Sequence, residues 1–184
     1  MPIRTEILDL LPRIFVVVAL IQKDLTLYSR RTAADMETDN PKAVTLSEYS
    51  QLSSSFSSCD DGALLLAQFS GSYKIGSLGN GDGMFMFSML AAHYLLFESI
   101  CIVLDLRKLE YSWGNTISKS INFFSEIGRD AEEREKRVII LATGETLKSL
   151  LTLDERFDSG NRSYCEDKKQ ALELALKEVT EYLR

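Results

Sequence analysis

One histidine and three cysteines are all the imidazole and thiol groups this 184-residue chain has. Cys59, Cys101 and Cys165 stand far apart and form no CxxC pair, so a zinc centre has no ligand set to draw on. An odd number of scattered thiols is not a disulfide framework either, and reduced cysteines in a cytoplasmic setting fit best. Basic surplus is missing too. Lys and Arg total 21 against 27 Asp and Glu, a net charge of -6. That balance argues against phosphate-rich partners, because nucleic acid needs clustered cations, and against an anionic membrane surface. A mildly acidic surface is the ordinary state of a cytosolic protein, and opposition to a basic partner protein is the less common alternative.

Long apolar runs are absent. Ile14 to Ile21 is far short of the roughly 20 residues a spanning helix needs. Glu6, Asp9 and Pro12 precede it and Lys23 and Asp24 follow it, without a small-residue cleavage site, so it is a poor signal peptide. No internal repeat is present. Residues 1–35 differ in character from the rest, and Met36 opens a polar leader, Glu37 to Pro41. The expectation is a start near Met36, with residues 1–35 a start-site misassignment or a loosely attached extension. Residues 36–62 read as a polar linker whose serine-rich Ser53 to Ser58 marks the boundary of the domain proper, residues 63–184.

What the chain does have is an alternation of buried strands and amphipathic helices. Ile100 to Leu106 is an unbroken aliphatic run ending near Asp105, the pattern of a strand covered on both faces of a parallel sheet. Ala63 to Phe69 and Val138 to Ala142 read the same way. Met84 to Ser99 is a helix apolar nearly all round, which must be covered on most sides. Ile117, Ile121, Phe124 and Ile127 make one helical stripe. Leu147, Leu150 and Leu151 are the inward residues of a short helix, and Leu172, Ala175, Leu176, Val179 and Leu183 those of the last. Asp154 to Tyr164 reads as irregular. The charged stretch Arg129 to Arg137 mixes signs and reads as a solvated connection. The sum is an α/β fold, a single layered domain with a mostly parallel central sheet flanked by helices.

Ligands of such sheets bind past the carboxyl ends of the strands. Two turns are candidates there. Ser77, Gly79, Asn80, Gly81, Asp82 and Gly83 form a glycine-rich stretch that suits a ligand loop, since glycine lets backbone N–H groups approach an anion. The fit to nucleotide fingerprints is poor: the third glycine is misplaced and no Lys-Ser/Thr follows. Asp82 would repel phosphate and Asn80-Gly81 is a tight-turn signal, so a structural turn outweighs a phosphate site. Tyr111, Ser112, Trp113, Asn115 and Thr116 make up the second turn. Trp113 either stands exposed as a binding anchor or folds back on the core. Met84, Met86 and Met89 read as a core stripe ahead of an adaptable partner groove.

Catalytic signals are thin. His93 is the only histidine, sits in the apolar helix, and has no partner at helical spacing in Ser88. No GxSxG elbow accompanies it. No catalytic residue, metal site or cofactor is assigned.

Ile102-Val103-Leu104-Asp105-Leu106-Arg107-Lys108-Leu109-Glu110-Tyr111 resembles the aliphatic strand, Asp-Leu and following aromatic of the STAS domains, the module of anti-sigma-factor antagonists and sulphate-transporter tails. Arg137 to Ala142, Leu147 to Leu153 with Phe157, and Gln170-Ala171-Leu172 extend the resemblance over about two thirds of the chain. It implies a non-catalytic regulatory module that docks another protein, either a basic one or a kinase or sensor, through residues 77–83 and 111–116. The family's Asp-Ser-Ser-Gly switch is replaced here by Ser112-Trp113-Gly114-Asn115-Thr116, which leaves Ser112 and Thr116 as the candidate phosphosites. A rival resemblance is to the crotonase and Clp-protease superfold, whose Gly-Gly oxyanion element is missing after the central strand. The alternatives to a regulatory module are an acidic immunity-type protein that neutralises a basic toxin or enzyme, and a small hydrolase or lyase using the glycine loop as an oxyanion or phosphate hole.

Overall fold

Alternating aliphatic and helical segments assemble one five-stranded sheet in a computed structural model that describes residues 48–127, 135–155 and 162–184. The expectations for residues 1–35, the Met36 start and most of the charged run lie outside the described residues. The strands are β1 (Ser53–Cys59), β2 (Leu64–Ser72), β3 (Cys101–Glu110), β4 (Arg137–Leu141) and β5 (Arg162–Cys165). They lie in sequence order across the sheet; β1 runs antiparallel to β2, and every other pair is parallel. The fold class is therefore α/β with a mostly parallel sheet, as the aliphatic runs predict.

Side chains alternate across the sheet, as the period of two requires. Leu65, Ala67 and Phe69 of β2, Ile102, Leu104 and Leu106 of β3, and Val138 and Ile140 of β4 face one core. Leu64, Cys101, Val103, Ile139 and Leu141 face the other. The first core is roofed by α1 (Asn80–Phe97), by two short helical turns, α2 (Ser118–Ile121) and α3 (Phe123–Glu126), and by α4 (Gly144–Asp154). Among the described residues α5 (Lys168–Tyr182) covers the second core, through Ala171, Ala175 and Val179.

One irregularity positions the carboxyl end of β3. Gln68 pairs with Asp105 but Ser70 pairs with Lys108, so β3 carries one residue more than β2 across this step. Such a bulge reverses the alternation beyond it. Leu106 and Leu109, three apart, both reach the first core, while Arg107 and Lys108 are exposed.

Several expectations are corrected. The serine-rich Ser53 to Ser58 is an edge strand, not a coil, because Phe56 anchors it against Phe69 while its serines need no burial. Asp105 does not end a strand: β3 continues to Glu110, and Asp105 is buried at 1% exposure. Residues 80–83 are the first turn of α1, so the helix starts four residues before Met84. Arg162–Cys165 is a strand too short and too polar to stand out in the sequence. Leu151, Leu176 and Leu183 are exposed, and Leu153 and Ala171 take inward places instead. Lys136 at the end of the charged run is buried, donating to the Tyr94 hydroxyl at 2.9 Å with its ammonium over that ring.

Candidate functional site

The turn after β2 and the turn after β3 meet. Tyr73 donates its backbone N–H to the Glu110 carbonyl at 3.0 Å, and Gly76 donates to the Trp113 carbonyl at 3.2 Å. Gly76 has φ of 62°, a left-handed backbone that suits glycine. A Cβ there would lie 2.8 Å from the Trp113 ring, so the indole rests directly on the bare Gly76 backbone. Behind it, Tyr73 and Tyr111 pack edge to face at 5.3 Å, and the Tyr111 hydroxyl donates to the Gly114 carbonyl at 3.0 Å. Thr116 donates to the Asn80 side-chain oxygen at 2.5 Å, tying the second turn to the start of α1. Thr146 of α4 bridges the end of β3, donating to the Leu109 carbonyl and accepting from the Tyr111 N–H.

The residues of the glycine-rich stretch divide. Ser77 is exposed, Asn80 and Gly81 are half-buried, and Gly79, Asp82 and Gly83 are buried. Gly76–Gly79 is a 3-10 turn that runs straight into α1, so no loop cradles an anion. Two of the glycines are packed tightly: a Cβ on Gly79 would lie 2.1 Å from the Lys74 carbonyl oxygen, and one on Gly83 2.7 Å from Thr116. Asp82 accepts from the Ser50 hydroxyl at 2.7 Å and from the Lys74 N–H at 2.8 Å, with its charge in the favourable first turn of a helix. These glycines allow close packing, which accounts for them without an oxyanion or phosphate hole.

In the second turn Ser112, Trp113 and Asn115 are exposed and Thr116 is half-buried. Tyr111 is buried at 3% exposure, because its ring completes the first core, and it cannot touch a partner. Of the two candidate phosphosites, Ser112 is open and Thr116 has its hydroxyl engaged with Asn80. Trp113 is 51% exposed, and Ile75 and Leu78, on either side of Gly76, are 64% and 75% exposed. Leu78 lies within the 77–83 turn expected from the sequence, though it was no candidate there by itself, and Ile75 lies outside that turn. Their signal was two aliphatic residues inside a Gly/Ser stretch, with no helical or strand periodicity to bury them.

Other candidates are absorbed by structure. His93 stacks on Phe56 at 3.6 Å, and its Nδ1 donates to the Met89 carbonyl at 2.8 Å, since a carbonyl can only accept. Met86 is buried and Met84 and Met89 pack against the same core. Burial pushes the Asp105 carboxyl up, but hydrogen bonds from the Arg107 side chain and backbone, the Arg107 charge and the Gln68 amide outweigh it, leaving the group below its ordinary pKa. Asp105 lies on the α5 side of the sheet with its oxygens committed, and it is not part of the exposed turn surface. Burial, reinforced by Glu178 and opposed by Arg137, pushes the Cys101 thiol up to about 12. Among the described residues no group of three or more His, Cys, Asp or Glu is placed to hold a metal ion, and no helix is long and apolar enough to cross a membrane.

No family model matches the chain, and no curated protein matches it. Among solved structures it is similar to an uncharacterised protein of the DUF3478 family from Shewanella loihica, described as having a SpoIIAA-like fold. The two share 18% identity with a TM-score of 0.42, over 67% of this chain and 93% of the other.

Proposed function

We propose that this chain is a non-catalytic regulatory module that docks another protein on the surface made by Ile75, Leu78 and Trp113, with Ser112 and Asn115 at its rim. The observation that carries the reading is the pairing of the two turns: residues far apart in sequence are hydrogen-bonded together and hold three large apolar side chains out in water. A lone exposed leucine is ordinary, whereas adjoining exposed apolar groups around an aromatic are the composition of an interface centre. The turn is braced by Tyr73, Tyr111 and Thr116, so little conformational freedom remains to be lost on docking. Ser112 stands beside the tryptophan, and a phosphate there would weaken docking by desolvation and repulsion.

Affinity capture from the native cell, followed by titration of the recovered partner, tests the reading. Trp113→Ala is expected to weaken binding by about 2 kcal/mol, roughly thirtyfold, with the circular dichroism unchanged. Equal recovery and equal affinity from a folded Trp113→Ala protein would count decisively against this surface. Titration at low and high salt separates apolar docking, which salt leaves intact, from neutralisation of a basic partner, which salt weakens.

A further inference from the structure

The two edges of the sheet are guarded differently. At one edge β5 has only four residues and is followed at once by the exposed Glu166 and Asp167. Shortness and charge are the usual means of keeping a sheet edge from pairing with another chain. At the other edge β1 has seven residues, Ser53-Ser54-Ser55-Phe56-Ser57-Ser58-Cys59, with no Lys, Arg, Asp, Glu or Pro. Among the described residues no strand pairs with its outer side. The strand is firmly held: all seven residues are in register with β2, and Phe56 is clamped between Phe69 and His93. Ser53, Ser55, Ser57, Ser58 and Cys59 are exposed.

We infer that β1 pairs with β1 of a second copy of this chain, antiparallel and across a two-fold axis, continuing the sheet from one copy into the next. Three features select a second copy. A two-fold contact sets the same strand against itself in opposite directions, which is antiparallel pairing by symmetry. Two chains that each carry a net charge of -6 repel overall, and β1 is a seven-residue stretch where neither brings charge. The strand also complements itself. With Phe56 on the axis, Ser55 faces Ser57 of the second copy, Ser54 faces Ser58 and Ser53 faces Cys59, so hydroxyl meets hydroxyl along most of the ladder. Hydrogen bonds between the two backbones supply the contact, and the Phe56 rings meet beside His93 on the α1 face. One strand from each copy is a small interface, so the association is weak and depends on concentration. The inference rests on β1 alone and stands apart from the Trp113 surface.

Sedimentation of the full chain over a concentration series tests it, with Ser55→Lys and Ser57→Lys as edge guards. The expected result is a monomer–dimer equilibrium whose dissociation constant rises at least about tenfold in either variant, while circular dichroism and melting temperature stay unchanged. Register is read by Ser53→Cys. Directly opposed residues of antiparallel strands have Cα atoms about 4.5–5.5 Å apart, within disulfide range. Mild oxidation is expected to link the introduced thiol to Cys59 of the second copy, and the Ser53→Cys/Cys59→Ser double variant is expected to give no linked dimer. A chain that stays monomeric at every concentration, whether because its own residues or a different protein take the edge, overturns the inference. So does a dimer that the lysine variants leave intact, or oxidative linking that is as efficient without Cys59.

Discussion

On the α1 side of the sheet, Tyr94, Phe123 and Phe124 interlock edge to face with ring centroids 5.5 to 5.7 Å apart, Phe87 leans on Phe123 at a tilt, and Phe56, Phe69 and Phe85 extend the aromatic layer toward the β1 edge. On the α5 side no ring takes part among the described residues: the sheet presents Leu64, Cys101, Val103, Ile139 and Leu141, and α5 presents the smaller Ala171, Ala175 and Val179. The difference follows from what each side must cover. Several helical pieces leave uneven gaps that large rings fill, whereas a single helix lies close to an aliphatic sheet face when the helix presents small side chains. The first side is therefore sensitive to loss of volume and the second to gain of it.

Phe123→Ala is the harshest way to test that contrast. Phe123 is fully buried and touches three other rings, so its removal is expected to cost about 3–5 kcal/mol in urea unfolding. A loss under 1 kcal/mol would mean that the aromatic layer is loosely packed. On the opposite side Ala175→Leu is expected to cost about 1–3 kcal/mol by overpacking between α5 and the sheet. A neutral or stabilising outcome there would erase the proposed asymmetry.

Asp105 sharpens the comparison at the α5 side, where it is a buried charge on an otherwise apolar face. Asp105→Asn is expected to cost about 1 kcal/mol at neutral pH by weakening the bonds to Arg107 and Gln68. The folded carboxyl sits below its ordinary value of 3.8, so its contribution is fully present above that pH and is lost as pH falls through the lower folded value. The difference between wild type and Asp105→Asn should therefore shrink below pH 3.8. A gap that stays constant down to the acid transition would show that charge is not what holds the site. The smallest effect is chemical. Cys59 is exposed and Cys101 is buried with its pKa pushed up to about 12, so alkylation of the native protein should label Cys59 and spare Cys101 until unfolding. Equal labelling rates would mean that the α5 side opens readily.

The three buried strands were legible because period and continuity are properties of the sequence alone; the inward positions Ile117, Ile121, Phe124 and Ile127 were legible too, but they fall on a 3-10 turn, two short helices and the residue after them and not on one helix. The turn after β3 was legible as a place, since polar residues must follow a buried strand. The exposure of Trp113 was not, because it depends on Gly76 arriving from β2 to support the ring. Ser53 to Ser58 misled because a serine strand carries almost no hydrophobic signal, and its pairing with β2 is supplied by the neighbour. Arg162–Cys165 was hidden for the same reason. The glycines at 79 and 83 looked like a ligand cradle because sequence cannot tell a backbone opened to solvent from one pressed against Lys74 or Thr116.

By itself the sequence determined the layered α/β class, the identity of the central strands and the absence of thiol-rich or strongly basic chemistry, since each follows from local pattern or composition. Only the tertiary structure decided that Asp105 is sealed inside and that the turn carrying Ile75 and Leu78 is bonded to the turn carrying Trp113, with all three side chains exposed. It alone left an uncharged strand at the sheet edge. The physical reason is common to all three: burial and edge status belong to a residue's distant neighbours, which the local order of side chains does not specify.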